Sequence, residues 1–398
     1  MTREVYLLAG LRTPRGKGSA RGALASVSPL GLLTRVLDAL VARGVDPSLV
    51  DDVIVGCATQ VDAQGANLAR TAALLSGIPA PGVTLNRFCA SGLDAANTAA
   101  ARVRAGDASL VLAGGVESVS RVPMLSDRGP LYADPAVAQA LGSVHMGVSA
   151  DVIATTEGFE RAALDAYAFE TRAKARAAWA SGDAGRSVIA VRADDGRELL
   201  ARDEFLSYEP SLEALAAMPP AFAEAGAQGQ DALACARLGL AEVRHLHTRG
   251  SSPAPADCAA MLALGDALAG ERCGLRPRAR VVATATCAGD PVVMLTAGQD
   301  AAERALARAG LRARDLDAFV FAEAFSATCL RARRDLALDD GRFNPWGGTM
   351  ALGHAFGATG AVLLLEAADL LDARGGRYAL AAVSGAAGLG VATVIERV

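Results

Sequence analysis

The sequence predicts an α/β fold made of two copies of one layout with a loop-rich segment inserted between them, and three observations carry that prediction. ALVARGVDPSLVDDVIV, residues 39 to 55, returns as ALARAGLRARDLDAFVF, residues 305 to 321, at a constant offset of 266. Cys89 and His354 open long helical stretches at matching strand-to-helix corners of the two copies. Between the copies, residues 119 to 250 lose the pattern and become richer in charge and in Pro and Gly breaks.

The repeated segment shares Ala39/Ala305, Leu40/Leu306, Gly44/Gly310 and Asp51/Asp317. Each copy reads as a helix, a glycine stop, a polar turn and a continuous apolar strand, and such a strand suits burial on both faces of an α/β sheet. In the first copy a β-prone run at Val83 to Leu85 leads to Cys89, the helical ASGLDAANTAAARVRAGD and the strand SLVLAGG at 109 to 115. In the second, His354 leads to AFGATGAVLLLEAADLLDARGG and the strand YALAAVSG at 378 to 385. Adding 266 to 89 gives 355, one residue from the histidine. A period this long means a duplicated domain, since solenoid units run about 20 to 50 residues. The insertion carries MLSDRGPLYADP, ADDGRELLARDEF and PPAFAEAGAQGQ, plus one amphipathic helix around 161 to 180, and reads as a lid. The expected division is 1–118 as the first half, with a return at about 251–270, then 119–250 as the lid and 271–398 as the second half.

Composition narrows the function classes. At 398 residues and 52% hydrophobic the chain can build two or three cores, and with only 4% aromatics those cores rest on Ala, Leu and Val. Lys plus Arg, 39, nearly balances Asp plus Glu, 43, so there is no broad basic field for nucleic acid or an anionic membrane, and phosphates must be met locally. No continuous apolar run reaches the ~18 residues of a membrane span, and MTREVYLLAG is charged too early for a signal peptide, which points to the cytoplasm. Seven cysteines without CxxC spacing fit reduced thiols, not structural zinc or a disulfide framework. His245 and His247 form the one His-x-His pair, for which a solvated loop is a better reading than a metal site.

Two equivalent halves around a pseudo-twofold axis bring equivalent corners together, which makes Cys89 and His354 candidates to meet. A thiol at a helix start feels the positive end of the dipole, and a neighbouring imidazole can take its proton. On spacing alone, a small buried hydrophobe remains an equal reading of Cys89. The glycines of GGTMALGHAFGATGA, 347 to 361, allow close approach around His354, and SGAAGLG, 384 to 390, offers backbone N–H groups to an anion or serves only its turn.

Taken together, RTPRGKG (12 to 18), NRFCASGL (86 to 93), GGVESVS (114 to 120), HMGVSAD (145 to 151) and GGTMALGHAFGATG (347 to 360) resemble the thiolase family over nearly the whole chain and in its order. The resemblance implies two mixed sheets sandwiched between helix layers, αβαβα, an acyl-CoA substrate, no resident cofactor or metal beyond coenzyme A as substrate and product, and a homodimer or homotetramer. It implies that Cys89 is acylated, that His354 activates it, and that the N–H groups of Cys89 and Ala386 form the oxyanion hole. His145 and Met146 correspond to residues lining the acyl pocket.

Two catalytic positions depart from the family. Ala322 stands before Glu-Ala-Phe where a polar residue is usual, and Ser384 stands where thiolases carry a second cysteine that moves the α-carbon proton. An alcohol titrates roughly 7 units above a thiol, about 10 kcal/mol, so serine is a poor base there, though it can donate or relay a proton. Cys329 is one conceivable replacement thiol. On the coenzyme side, TRGSSPAPAD (248 to 257) replaces the usual loop, leaving Ser251 or Ser252 for the pantetheine arm and Arg249 or Arg244 for the phosphates. The expected activity is an acyl-CoA C-acyltransferase acting on 3-oxoacyl-CoA or acetyl-CoA through an acyl-cysteine. NRFCASGL leans toward the degradative branch, with a biosynthetic acetoacetyl-CoA role close behind. The alternatives are an acyl-enzyme transferase or hydrolase without carbon–carbon chemistry, and a thiolase-fold subunit that binds coenzyme A or a partner without turnover.

Overall fold

In the computed structural model, which describes residues 3–398, the two copies fold with the same strand order. The first half contributes β1 (Tyr6–Arg12), β2 (Gly16–Lys17), α1 (Pro29–Ala42), β3 (Asp52–Gly56), α2 (Leu68–Leu75), β4 (Gly82–Leu85), α3 (Ser91–Ala105) and β5 (Leu110–Glu117). The connecting segment holds α4 (Met146–Thr156), α5 (Arg161–Ala180) and a small ribbon of β6 (Val191–Arg192) and β7 (Glu198–Leu200). Then β8 (Ala256–Gly265) enters the first sheet between β1 and β5. The second half comprises β9 (Ala279–Ala288), α6 (Ala297–Ala309), β10 (Ala318–Phe321), α7 (Ser326–Asp335), α8 (Phe356–Arg374), β11 (Tyr378–Gly385) and β12 (Leu389–Arg397).

The order β3-β5-β8-β1 in one half matches β10-β11-β12-β9 in the other, with the same sequence of one parallel and two antiparallel pairings. β4 is an extra parallel strand at the outer edge of the first half. The two sheets are not separate. The edge strands β1 and β9 pair antiparallel over Tyr6↔Arg280 and Leu7↔Ala279, splicing them into one continuous sheet. Each half ends in a strand with unpaired N–H and C=O groups on one side, and the splice satisfies both edges at once.

Five layers result. α1 and α2 cover the outer face of the first sheet, α6 and α7 that of the second, and α3 and α8 lie between the two inner faces. α8, FGATGAVLLLEAADLL, is mostly hydrophobic or small and buried on nearly every side, with Asp369 held by Ser187 and Arg278. β3 and β10 are buried at every position, in keeping with their continuous apolar sequence. The shared glycines Gly44 and Gly310 stop α1 and α6 with φ of 108° and 67°, a region that costs other residues.

Where α3, α8 and β5 converge, backbone lies directly on backbone. A Cβ placed on Gly115 would come within 2.2 Å of the Gly357 carbonyl oxygen, one on Gly92 within 2.6 Å of the same atom, and one on Gly360 within 2.5 Å of Leu93. The layer spacing here is set by bare main chain. This seam holds the first corner of one half against the first corner of the other.

α5 spans Arg161–Ala180, and its buried face, including Leu164, Ala168 and Ala175, packs toward the second half. By length and hydropathy Pro135–Thr156 would suit a membrane span, although it is not one continuous apolar run. The chain breaks it at Gly142, φ 69°, into a short helix, Pro135–Leu141, and α4.

Candidate active site

The first corner, between β4 and α3, is a strained elbow. Phe88 has φ 50°, unusual for a bulky residue. Two side chains hold it: Asn86 Oδ1 accepts the Phe88 N–H at 2.8 Å, and Ser91 Oγ accepts from Arg87 N at 2.8 Å while donating to Phe88 O at 2.6 Å. Cys89 follows, one residue before the N-cap of α3.

The second corner is tied to the loop that leads into β8. His354 N donates to Ala254 O at 2.8 Å, and His354 O accepts from Ala256 N at 3.0 Å. Its Nδ1 shares a hydrogen bond with Thr359 Oγ1 at 2.9 Å, which leaves Nε2 for a ligand, and Phe356 packs edge-on at 4.9 Å. A third corner, from Ser384 at the end of β11 to Ala387 in the turn before β12, completes the site, with Ala387 at φ 58°.

All three corners line one cavity of about 280 Å³. Cys89, His354, Ser384, Ala386, His145, Met146, Ser252 and Ala322 are on its wall, together with Phe88, Phe222, Phe325 and Phe356. The structure therefore brings one sulfur from the first half and one imidazole from the second to the same space. Ser251 and Arg249 are not part of the wall. Ser251 is fully buried, and its Oγ closes a turn by accepting Thr248 N at 2.9 Å; Arg249 is exposed. Arg244 is held by Glu160 through two hydrogen bonds of 2.9 and 2.6 Å.

Burial overrides the helix dipole at the sulfur. It pushes the Cys89 thiol up to about 12, with the nearby Glu117 charge adding to the effect. Burial, helped by Arg15, brings His354 down to about 3. Burial thus holds both groups toward their neutral forms, against the helix dipole that the corner's position brings to the sulfur.

Ser384 reaches the wall with its hydroxyl already committed. Oγ donates to Leu295 O at 2.6 Å and accepts from Gly298 N at 3.0 Å, tying β11 to the start of α6. Cys329 is fully buried in α7 and absent from the wall, so it supplies no replacement thiol. The reading of His245 and His247 as a solvated loop also fails. His247 is fully buried, and Asp151 of α4 holds His247 Nδ1 at 2.8 Å, His245 Nδ1 at 2.9 Å and the N–H groups of residues 246 and 247. The pair braces α4, whose first residues line the cavity.

Two carboxylates that sequence reasoning missed organise the site. Glu117, the last residue of β5, accepts from Ala58 N, Thr59 N, Gln64 Nε2 and Gly357 N at 2.9, 3.2, 2.6 and 2.9 Å. Glu323 accepts from Tyr167, Thr171 and Asn344 side chains at 2.7, 2.7 and 3.0 Å and from Met350 N at 3.0 Å, anchoring α5 to the second half. A lone acid ending an apolar run, as in GGVES and FAEAF, is the signal that could have found both.

Comparison with known proteins agrees with this geometry. The family described as "Thiolase, N-terminal domain" matches residues 5–229, and "Thiolase, C-terminal domain" matches residues 275–397. The chain is 34% identical to the 3-oxoadipyl-CoA/3-oxo-5,6-dehydrosuberyl-CoA thiolase of Escherichia coli (strain K12) and 36% identical to the beta-ketoadipyl-CoA thiolase of Pseudomonas knackmussii, in both cases over 100% of each chain. It is also 36% identical to the 3-ketoacyl-CoA thiolase of Escherichia fergusonii, over 99% of this chain and 100% of that one. With both domains matched, the two half-sites on one cavity and relatives aligned end to end, the chain belongs to the thiolase family of acyl-CoA acyltransferases.

Proposed function

We propose that the chain performs thiolysis of 3-oxoacyl-CoA, and its reverse, through an acyl group carried on Cys89, with His354 as the base. In the cleavage direction Cys89 Sγ adds to the 3-oxo carbon while its proton passes to His354 Nε2. The bond to the α-carbon then breaks, the α-carbon takes the proton back from His354, and acetyl-CoA leaves. The coenzyme A thiol finally takes the acyl group from sulfur, its proton passing through His354 to the departing Cys89 sulfur. Backbone N–H groups of Cys89 and Ala386 stabilise the oxyanion. The observation that carries this reading is that Cys89 and His354 lie on one wall with, among the described residues, no other thiol on it. Ser384, whose hydroxyl serves Leu295 and Gly298, acts in this scheme as a positioning residue, and His354 handles both proton transfers.

Incubation with acetyl-CoA should add one acetyl group to the wild-type chain and none to Cys89→Ala in intact-mass spectra. No adduct on the wild type removes the proposal. A second reading, hydrolysis or transfer of the acyl group without carbon–carbon chemistry, is favoured by the locked Ser384 and the bare Ala322. Coenzyme A release from simple acyl-CoA with no cleavage of acetoacetyl-CoA would select it.

We further infer a homodimer or a homotetramer working in the cytoplasm. β4 is an edge strand with one side unpaired, and Val83, Leu74 and Leu75 are exposed beside it, a combination that favours pairing with a second copy. For the coenzyme, Ser252 is the wall residue for the pantetheine arm, and Arg249, exposed three residues away, is the candidate for the phosphates.

A further inference from the structure

The 3-oxoadipyl-CoA and beta-ketoadipyl-CoA thiolases similar to this chain are named for acyl groups that end in a second carboxylate. Such a group needs a partner of opposite charge if it is to leave water, because a buried, unpaired carboxylate loses its hydration without return. The cavity offers none. Among the described residues, no Lys, Arg, Asp or Glu contributes to its wall, which is built mainly from phenylalanine, methionine, leucine and small side chains.

The charges just behind the wall have the wrong sign for an incoming carboxylate. Glu117 lies close enough to raise the Cys89 thiol, and Asp127 accepts the hydroxyl of the wall residue Tyr132. The cation that acts on His354, Arg15, is not on the wall and faces two carboxylates: its Nη1 donates to Asp203 at 2.9 Å, its backbone N–H to the same carboxylate at 2.7 Å, and its Nη2 lies 3.9 Å from Glu366. His145 is the remaining ionisable group on the acyl side. Its Nδ1 accepts from Gly147 N at 3.0 Å, so the ring caps α4 as a neutral imidazole, and burial holds its pKa below the usual histidine value.

We propose that this chain's acyl pocket takes uncharged, apolar 3-oxoacyl groups and rejects those ending in a carboxylate, unlike the relatives named for 3-oxoadipyl-CoA. The inference rests on the thiolase reading and specifies its substrate class. Polar groups that could hold a distal carboxylate by neutral hydrogen bonds, such as Thr59 and Ser143, supply no charge to offset the loss of water.

The test compares two substrates of equal carbon count on the wild-type enzyme: 3-oxohexanoyl-CoA and 3-oxoadipyl-CoA, which differ only in the terminal carboxylate. Cleavage of the first should exceed the second by about 100-fold or more in kcat/KM, as expected for a charge buried without a partner. Equal or preferred cleavage of 3-oxoadipyl-CoA overturns the inference while leaving the thiolase activity standing. In that event Arg128→Ala, on the exposed loop before Tyr132, would show whether a rim cation receives the carboxylate. Cleavage of neither substrate also overturns the inference, and the acetyl-CoA adduct on Cys89 then decides whether the thiolase reading falls with it.

Discussion

The carboxylate of Glu117 accepts the backbone N–H of Gly357 at 2.9 Å, so the last residue of a first-half strand holds the opening turn of the second-half helix that follows His354. Besides the Cys57 thiol at 3.8 Å, the donors around Glu117 are four N–H groups, which two carboxylate oxygens can accept and the NH2 of an amide cannot. Glu117→Gln should cost about 2 to 4 kcal/mol in denaturant titrations. Because the Glu117 charge raises the Cys89 thiol, the same substitution should shift thiol alkylation to lower pH. A thiol profile that stays put or moves upward would remove the electrostatic link.

The neutral burial of His354 makes a statement about acid stability. Its pKa falls from 6.5 to about 3 on folding, so between those values the unfolded chain binds a proton that the folded chain refuses. Stability is therefore lost as pH drops through this window, by about 2 to 3 kcal/mol from pH 7 to 4.5. His354→Asn should lose that much less than wild type over the same range in urea titrations. Parallel pH dependences for the two proteins would refute the assignment.

Ser384→Ala separates a base from a brace. Removing Oγ leaves Leu295 O and Gly298 N without their buried partner, at a cost of about 1 to 3 kcal/mol. If His354 is the base, acetyl transfer to Cys89 and acetoacetyl-CoA cleavage should stay within about tenfold of wild type. A loss of cleavage by about 1,000-fold or more with acetylation intact would return the proton-transfer role to Ser384.

The edge of β4 tests the assembly. A Val83→Lys, Leu75→Lys pair places charge on an exposed strand and its flanking helix without touching the cavity. Sedimentation should show a smaller species than wild type with the far-UV spectrum retained. An unchanged mass would put the interface elsewhere.

Much of this molecule is legible where sequence and local physics act over short distances. The repeat placed β3 and β10 correctly, the apolar runs after each helix gave β5 and β11, and the amphipathic pattern gave α5 at Arg161–Ala180. That Cys89 and His354 would come to one cavity was legible because duplication converts distance along the chain into symmetry in space. What stayed hidden depends on contacts between remote segments. Asp151 meets His247 across 96 residues, and nothing in His-Leu-His announces a buried brace. The helix dipole at Cys89 is a local effect, whereas the burial that defeats it comes from three corners and an inserted lid. Ser251 and Ser252 are adjacent and alike in sequence, yet the turn turns one inward and leaves the other on the wall. The splice of β1 to β9 is likewise invisible to a pattern that defines each half by itself.

The glycine seam between α3, α8 and β5 fixes how far apart the Cys89 and His354 corners can sit. A single added methyl at Gly115 or Gly92 would act as a wedge against the carbonyl of Gly357, and the helix would carry the imidazole away with it. The spacing between the sulfur and the imidazole is thus governed by carbon atoms that are missing, at positions that line no part of the cavity.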